Sequence, residues 1–426
     1  MTAFVRSWLV MASVALLSQG IWAQDAQFEG FAPGWGAGNR AGQQRAYNGP
    51  SPDYELLPDD REPWDRFDEQ LILNLKDVTA DSWVKVEYLF GNFERPGNVL
   101  LGAPLAAVPN PRLPFNVQAG ALVDAQAIVP DTSPLQIEGQ NGVRTTIGIN
   151  SFRDFSVEIS YVGMQGMNSS FQRFPSALDP VAFPGAIRFY GTSLLNNGGL
   201  GSSVILYDRL FEASYSAHYW SGEVNVLLNN HTPNVGFRVR PSFGFRYNSF
   251  DDNLVQNGEF DNSSGVDPLL GVFAVPTRNT ILSTAQNTFY MAQVGFQAEL
   301  VDKWFTIGVA PRIAVGSNRI ETHIMTSDLR DSLIAELAND GVTENSQSSL
   351  MVGANLDLNA YLTVRVNSWL SLTTSAYYWY MPNVARAYNT IVYDDLGIAV
   401  PPAIRSRSNT TSMQVSGFTV GAEIRF

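Results

Sequence analysis

Asn355-Leu356-Asp357-Leu358-Asn359-Ala360-Tyr361-Leu362-Thr363-Val364-Arg365-Val366 is the stretch that decides the fold. Its apolar residues, Leu356, Leu358, Ala360, Leu362, Val364 and Val366, fall at every second position. Asn355, Asp357, Asn359, Tyr361, Thr363 and Arg365 lie between them. Successive side chains of a strand point to opposite faces, so this pattern gives one apolar face and one polar face. The alternation is longer than soluble strands usually sustain. It covers the ~9–11 residues that a tilted strand needs to cross a bilayer.

The same pattern recurs through the chain. Tyr290, Ala292, Val294, Phe296, Ala298 and Leu300 alternate with Met291, Gln293, Gly295, Gln297 and Glu299. Val235, Phe237, Val239, Phe243, Phe245 and Tyr247 alternate with Arg238, Arg240, Ser242, Gly244, Arg246 and Asn248. About ten strands are predicted, near 83–91, 141–150, 153–164, 209–229, 234–250, 285–301, 303–324, 350–366, 369–382 and 412–426. A parity change between Tyr219 and Val224 predicts a bulge at Ser221-Gly222, and Pro241 suggests another.

Connection lengths choose the architecture. Short turns at Asn150-Ser151-Phe152, Asn229–Pro233, Val301-Asp302-Lys303 and Asn367-Ser368 alternate with long connections at 92–140, 165–208, 251–284, 325–349 and 383–411. This predicts an all-β fold, an antiparallel up-and-down transmembrane β-barrel with short periplasmic turns and long extracellular loops. Its polar face carries Gly, Ser, Thr, Asn and single charges, which suits a lumen rather than a soluble surface. Phe90, Tyr161, Phe211, Tyr247, Tyr290, Tyr378 and Tyr380 gather at the loop side as an expected aromatic girdle, with Phe426 on the turn side.

Composition agrees. Charged residues are 16% of the 426, against about 25% in ordinary soluble domains. A net charge of −13 excludes a general nucleic-acid binder. There are no cysteines and only His218, His231 and His323, so no thiolate site, metal or other cofactor is expected. Residues 1–23 read as a signal peptide, with Arg6 before the apolar run Trp8–Leu17 and cleavage after Ala23 or after Gly20. Residues 24–80 form a Gly/Pro-rich, acidic periplasmic arm, including Asp59-Asp60-Arg61-Glu62-Pro63-Trp64-Asp65, and residues 81–426 form the barrel.

The closing run Gly421-Ala422-Glu423-Ile424-Arg425-Phe426 resembles the C-terminal signature of bacterial outer-membrane barrels. Gly142–Gly148 followed by Phe155–Tyr161 resembles the porin-type barrel family of planctomycetes. Glu223-Val224-Asn225, Pro241–Tyr247, Asn287–Tyr290 and Trp379–Arg386 carry the same likeness. The resemblance covers residues 83–426 and implies a barrel in the bacterial outer membrane, surrounded by lipid. It implies that Phe418, Val420, Ala422, Ile424 and Phe426 form an assembly signal, read by the barrel assembly machinery after delivery by periplasmic chaperones. The sequence departs from the family at Leu89-Phe90-Gly91-Asn92, where a richer Trp cluster is usual.

Lumen residues follow from parity. Lys85, Glu87, Arg144, Glu158, Glu212, Glu223, Arg238, Arg240, Arg246, Glu299, Arg312, Asp357 and Arg365 are expected to point inward, either pairing across the interior or lining water. The leading functional reading is passive, porin-like passage of small hydrophilic solutes or ions through a narrow charged lumen. The alternative is a closed barrel with structural or adhesive loops. About ten strands lie nearer the filled limit than the 16–18 of an aqueous channel, although Gly148, Ser160, Gly244, Gly295, Gly308 and Gly421 are expected to leave free volume. A third reading, a surface hydrolase using His323 with Glu321 or Asp328, has no convergent second motif, and the chain is expected not to be an enzyme. His218 is expected on the lumen face beside Ser214 and Ser216, and Ser327–Leu337 reads as a short amphipathic helix.

Overall fold

The computed structural model describes residues 82–426, apart from 105–111, 114, 118–124, 138, 151–153, 178–186, 197–198, 230–234, 265–270, 273, 330–341 and 396–402. The expected signal peptide and arm, His231 and most of the expected helix lie outside the described residues. Ten antiparallel strands close into a barrel. They are β1 (Ser82–Phe93), β4 (Gln140–Ile149), β5 (Phe155–Arg173), β8 (Leu210–Leu228), β9 (Gly236–Phe260), β10 (Thr277–Val301), β11 (Phe305–Ser327), β12 (Val342–Arg365), β13 (Leu370–Ala385) and β16 (Thr410–Arg425). Neighbours in the ring follow the chain, and β1 pairs with both β4 and β16 to close it. Turns are locally encoded: the Asn367 side-chain oxygen accepts the N–H groups of Trp369 and Leu370, turning β12 into β13.

Six short strands form a second sheet: β2 (Phe115–Val117), β3 (Ala125–Ile128), β6 (Ile187–Asn196), β7 (Gly199–Tyr207), β14 (Ile391–Asp395) and β15 (Ala403–Ser406). They come from the long connections after β1, β5 and β13. Most of the described residues of the other two long connections are strand, because β9, β10 and β12 extend eight to ten residues beyond their expected ends into 251–284 and 325–349, and β11 three.

The outward rows show where lipid stops. On β9 the outward apolar row runs from Phe237 through Val239, Phe243 and Phe245, all exposed, to the partly exposed Tyr247. Ten steps of roughly 3.4 Å at a tilt of about 40° span roughly 26 Å, the height of a barrel's apolar band. Trp220, Tyr247 and Tyr290 form its upper girdle, with ring centroids 4.7 and 5.2 Å apart. Above this level the chemistry of the faces exchanges. On β8 the odd residues point inward throughout, as Phe211, Tyr215 and Tyr219 above and as Ser221, Glu223 and Asn225 below.

This exchange explains the expected bulge at Ser221-Gly222. The register of β8 with β9 runs unbroken from Leu210 to Leu227, so the sequence parity changes there without any change in backbone. The slip lies on the neighbouring strand, where Gln165 and Gly166 of β5 stand opposite His218 alone. Pro241 sits in continuous register with Phe296, one residue beyond the end of the β8 pairing, where β9 has a partner only on β10. Phe211 is buried in the interior of the outer half and is no girdle residue. The inward glycines do not all leave space either. A Cβ on Gly148 would lie 2.1 Å from the Trp83 ring, and one on Gly308 would lie 2.6 Å from that of Tyr361.

Candidate functional site

The turn-side half of the barrel holds a cavity of about 320 Å³. Lys85, Arg144, Glu158, Glu223, Arg238, Arg240, Glu299, Arg312, Asp357 and Arg365 line it, joined by Glu423 and Arg425. Alternation places them: each lies on the inward row of a strand whose outward row meets lipid. Burying charge in such an interior requires partners. Arg238 and Arg240 on β9 both reach Glu299 on β10, the second at 3.5 Å. Lys85 and Arg144 share Glu87, at 3.4 and 3.8 Å. Arg365 donates to the carbonyls of Asp302 and Lys303.

Arg246 closes the top of this vestibule, 2.8 Å from both Glu223 and Asp357. Arg312 lies below it, 3.1 Å from Glu223 and 3.7 Å from Glu158. Gln293 donates to Glu223 at 3.3 Å, and Gln297 donates to Glu158 at 3.4 Å. Glu212 does not join this group. It falls on the outward row of β8 above the lipid band, 3.8 Å from Arg278, because the parity read from its apolar neighbours inverts there. His218 is also outward, with Ser214 and Ser216 in the same row, so that expected lumen cluster stands on the outer surface.

Over the Arg246 layer the lumen is filled by side chains of the wall. Tyr219 and Tyr377 flank Trp379, with ring centroids 5.4 and 4.7 Å away. Phe93 packs on Tyr219 and Phe250, each at 6.3 Å. Leu89, Phe289 and Met291 are fully buried in the same cluster. Arg144 ends under this layer, 5.8 and 5.9 Å from the rings of Tyr377 and Trp379.

A strap of chain then crosses the interior. Between Met381 and Val384 the register of β13 slips against β16, so that Pro382 and Asn383 oppose Ser412 alone. Asn383 takes a positive φ of 59°, which Asn tolerates better than most residues, and the chain turns inward. Asn287 on β10 accepts the Ala385 N–H and donates to the Ala385 carbonyl, both at 2.8 Å. Asp252 on β9 accepts from the Ala387 N–H at 2.9 Å, from the Arg386 Nε at 3.0 Å and from the Tyr215 hydroxyl at 2.7 Å. Arg386 also donates to the Tyr215 oxygen at 2.8 Å, with the Tyr388 ring 5.0 Å away. Burial alone would depress the Arg386 pKa, but Tyr215, Tyr388 and Asp252 outweigh it and hold the guanidinium above its ordinary range.

The closing strand joins β1 through Phe90 with Phe418, Tyr88 with Val420, Val86 with Ala422 and Val84 with Ile424, and Phe426 follows its end. Phe418 and Val420 are exposed on the outer row. His323 lies on the outer face of β11, 3.8 Å from Glu344, while Glu321 pairs with Arg319. Asp252, Tyr215 and Arg386 belong to no sequence motif that brings them together. The available signal for Arg386 was a lone cation in the aromatic run Trp379–Tyr388.

The family model described as "Putative beta barrel porin-7 (BBP7)" matches residues 83–426. No curated protein matches the sequence. Among solved structures, the outer membrane protease OmpT from Escherichia coli is similar at 11% identity and a TM-score of 0.41, over 82% of this chain and 97% of that one. A TodX deltaS2S3 mutant, a monoaromatic hydrocarbon channel, is similar at 8% identity and a TM-score of 0.27, over 83% and 92%. A Pseudomonas aeruginosa FadL homologue gives 10% identity and a TM-score of 0.24, over 81% and 90%.

Proposed function

Because the chain belongs to the beta barrel porin-7 family, we propose that it is a porin-like outer-membrane barrel held shut at its outer end. Small hydrophilic solutes or ions pass only when the Arg386 strap leaves the lumen and the wall side chains beneath it, Tyr219, Tyr377 and Trp379, rearrange with it. The observation that carries this reading is the strap's polar attachment. A permanent plug could be built from apolar side chains alone, whereas this one is held by Asn287, Asp252 and the Ser283 hydroxyl, which donates to the Ala387 carbonyl at 2.8 Å. Such groups exchange their partners for water when the strap withdraws, so opening costs less than for a strap held by the packing of Val384, Ala385, Ala387 and Tyr388 alone.

The charged vestibule supplies a hydrated path from the turn side up to the seal. The C-terminal row ending at Phe426 serves as the signal for the assembly machinery. This reading contains no catalytic step: His218 and His323 stand on the outer face, and replacing His323 with Ala leaves any surface hydrolysis unchanged.

Liposome swelling in a small neutral sugar tests the reading. Vesicles with the wild-type barrel stay impermeable, and those with the Asp252→Ala/Arg386→Ala double variant swell. The double change removes both charges, so neither is left buried alone. Swelling with wild type would rule out closure. A folded double variant that stays impermeable would favour the second reading, a non-conducting barrel with structural or adhesive loops. The specific observation behind that alternative is the six-stranded sheet built from three of the long connections.

A further inference from the structure

The vestibule charges do not balance, and the imbalance has a location. Lys85 on β1 and Arg144 on β4 share the single carboxylate of Glu87. Arg238 and Arg240 on β9 share the single carboxylate of Glu299 on β10. Each cluster therefore keeps one uncompensated positive charge. In the ring of ten, β10 lies five places from β1, so the two clusters face each other from opposite walls. Between them Glu158, Glu223 and Asp357 meet Arg246 and Arg312, which returns one negative charge. Arg365 offsets that charge, and Arg425 cancels Glu423.

A net excess of two positive charges thus surrounds a cavity walled by protein and lipid, where the field is screened far less than at a surface. Unpaired buried atoms do not choose the sign of an occupant, because among the described residues the lining holds Asp357 Oδ1 and Asn359 Oδ1 beside Arg240 Nε and Arg312 Nε. The net charge does, and the guanidinium groups of Arg144, Arg238 and Arg240 match an oxyanion better than they match water.

We propose that the vestibule is a binding site for a small multivalent oxyanion, held between Lys85 and Arg144 on one wall and Arg238 and Arg240 on the other. A volume of about 320 Å³ lies at the low end of ligand sites, which limits the occupant to a dicarboxylate or phosphate of a few heavy atoms. The site does not depend on whether the lumen opens at its outer end, because the vestibule lies wholly below the seal.

Titration calorimetry on the refolded full chain, in non-ionic detergent at low ionic strength, tests the assignment with inorganic phosphate and succinate as separate probes. The expected result is saturable binding of at least one probe at one site per barrel. Phosphate alone would identify a phosphate site, and succinate alone a dicarboxylate site. Arg238→Gln/Arg240→Gln weakens binding by about tenfold or more, the loss expected for removing charge-assisted hydrogen bonds. Glu299→Gln frees both arginines and tightens binding several-fold, and it keeps the test decisive if the double variant fails to fold. Absence of saturable binding by both probes, or affinity unchanged by Glu299→Gln, would overturn the proposal.

Discussion

The same strands build two halves of this barrel with opposite chemistry. On β9, Phe243 and Phe245 face lipid while Arg240 and Arg246 face the lumen. A few residues further along, Phe250 and Leu254 face inward and Asp251, Asn253 and Asn257 face out. The backbone does not change; the solvent does. Within the membrane the apolar medium lies outside, so the interior can be polar and the charges pair across it. Above the girdle of Trp220, Tyr247 and Tyr290 water lies outside, and the barrel becomes an ordinary soluble β-structure with an apolar core. The strap belongs to that core, and this is why the outer half is filled while the inner half keeps a vestibule.

The contrast can be broken most severely at the strap. Arg386→Ala leaves Asp252 buried and short of its charged partner, and it should lower stability by about 3–5 kcal/mol in urea unfolding of the refolded barrel. A loss under 1 kcal/mol would mean that the strap is not held by this pair. Next comes a pair of substitutions on one outward row. Phe243→Arg, within the lipid band, should cost about 2–4 kcal/mol. Asn253→Arg, ten residues on, should stay within about 0.5 kcal/mol of wild type. Equal costs at the two positions would erase the boundary drawn here. The smallest effect is Glu212→Gln, which breaks a partly exposed pair with Arg278 on the outer surface and should cost below about 1 kcal/mol. A loss of several kcal/mol there would put Glu212 back in the interior.

How much of this was legible depended on which solvent a strand met. The ten barrel strands were readable because a lipid-facing row must stay apolar for the whole membrane thickness, as Leu356 to Val364 does. Most of the lumen charges followed from the same parity. Above the girdle the apolar row of β8 is the inward one, so parity alone sends Glu212 and His218 to the wrong face and makes the change after Tyr219 look like a bulge. The true slip, at Gln165-Gly166, leaves little trace because both residues suit either face. The second sheet was invisible for a different reason. Strands of three to ten residues, paired across distant connections, carry no sustained period. Arg386 was hidden because its partners, Asp252 and Tyr215, lie 134 and 171 residues away in the chain.

The most direct test of the sealed lumen is single-channel conductance in a planar bilayer, comparing wild type with Asp252→Ala/Arg386→Ala. The expected result is a silent wild type, shown to be folded and inserted, and discrete conductance steps from the double variant. Steady open-channel steps from wild type under the same conditions would contradict it.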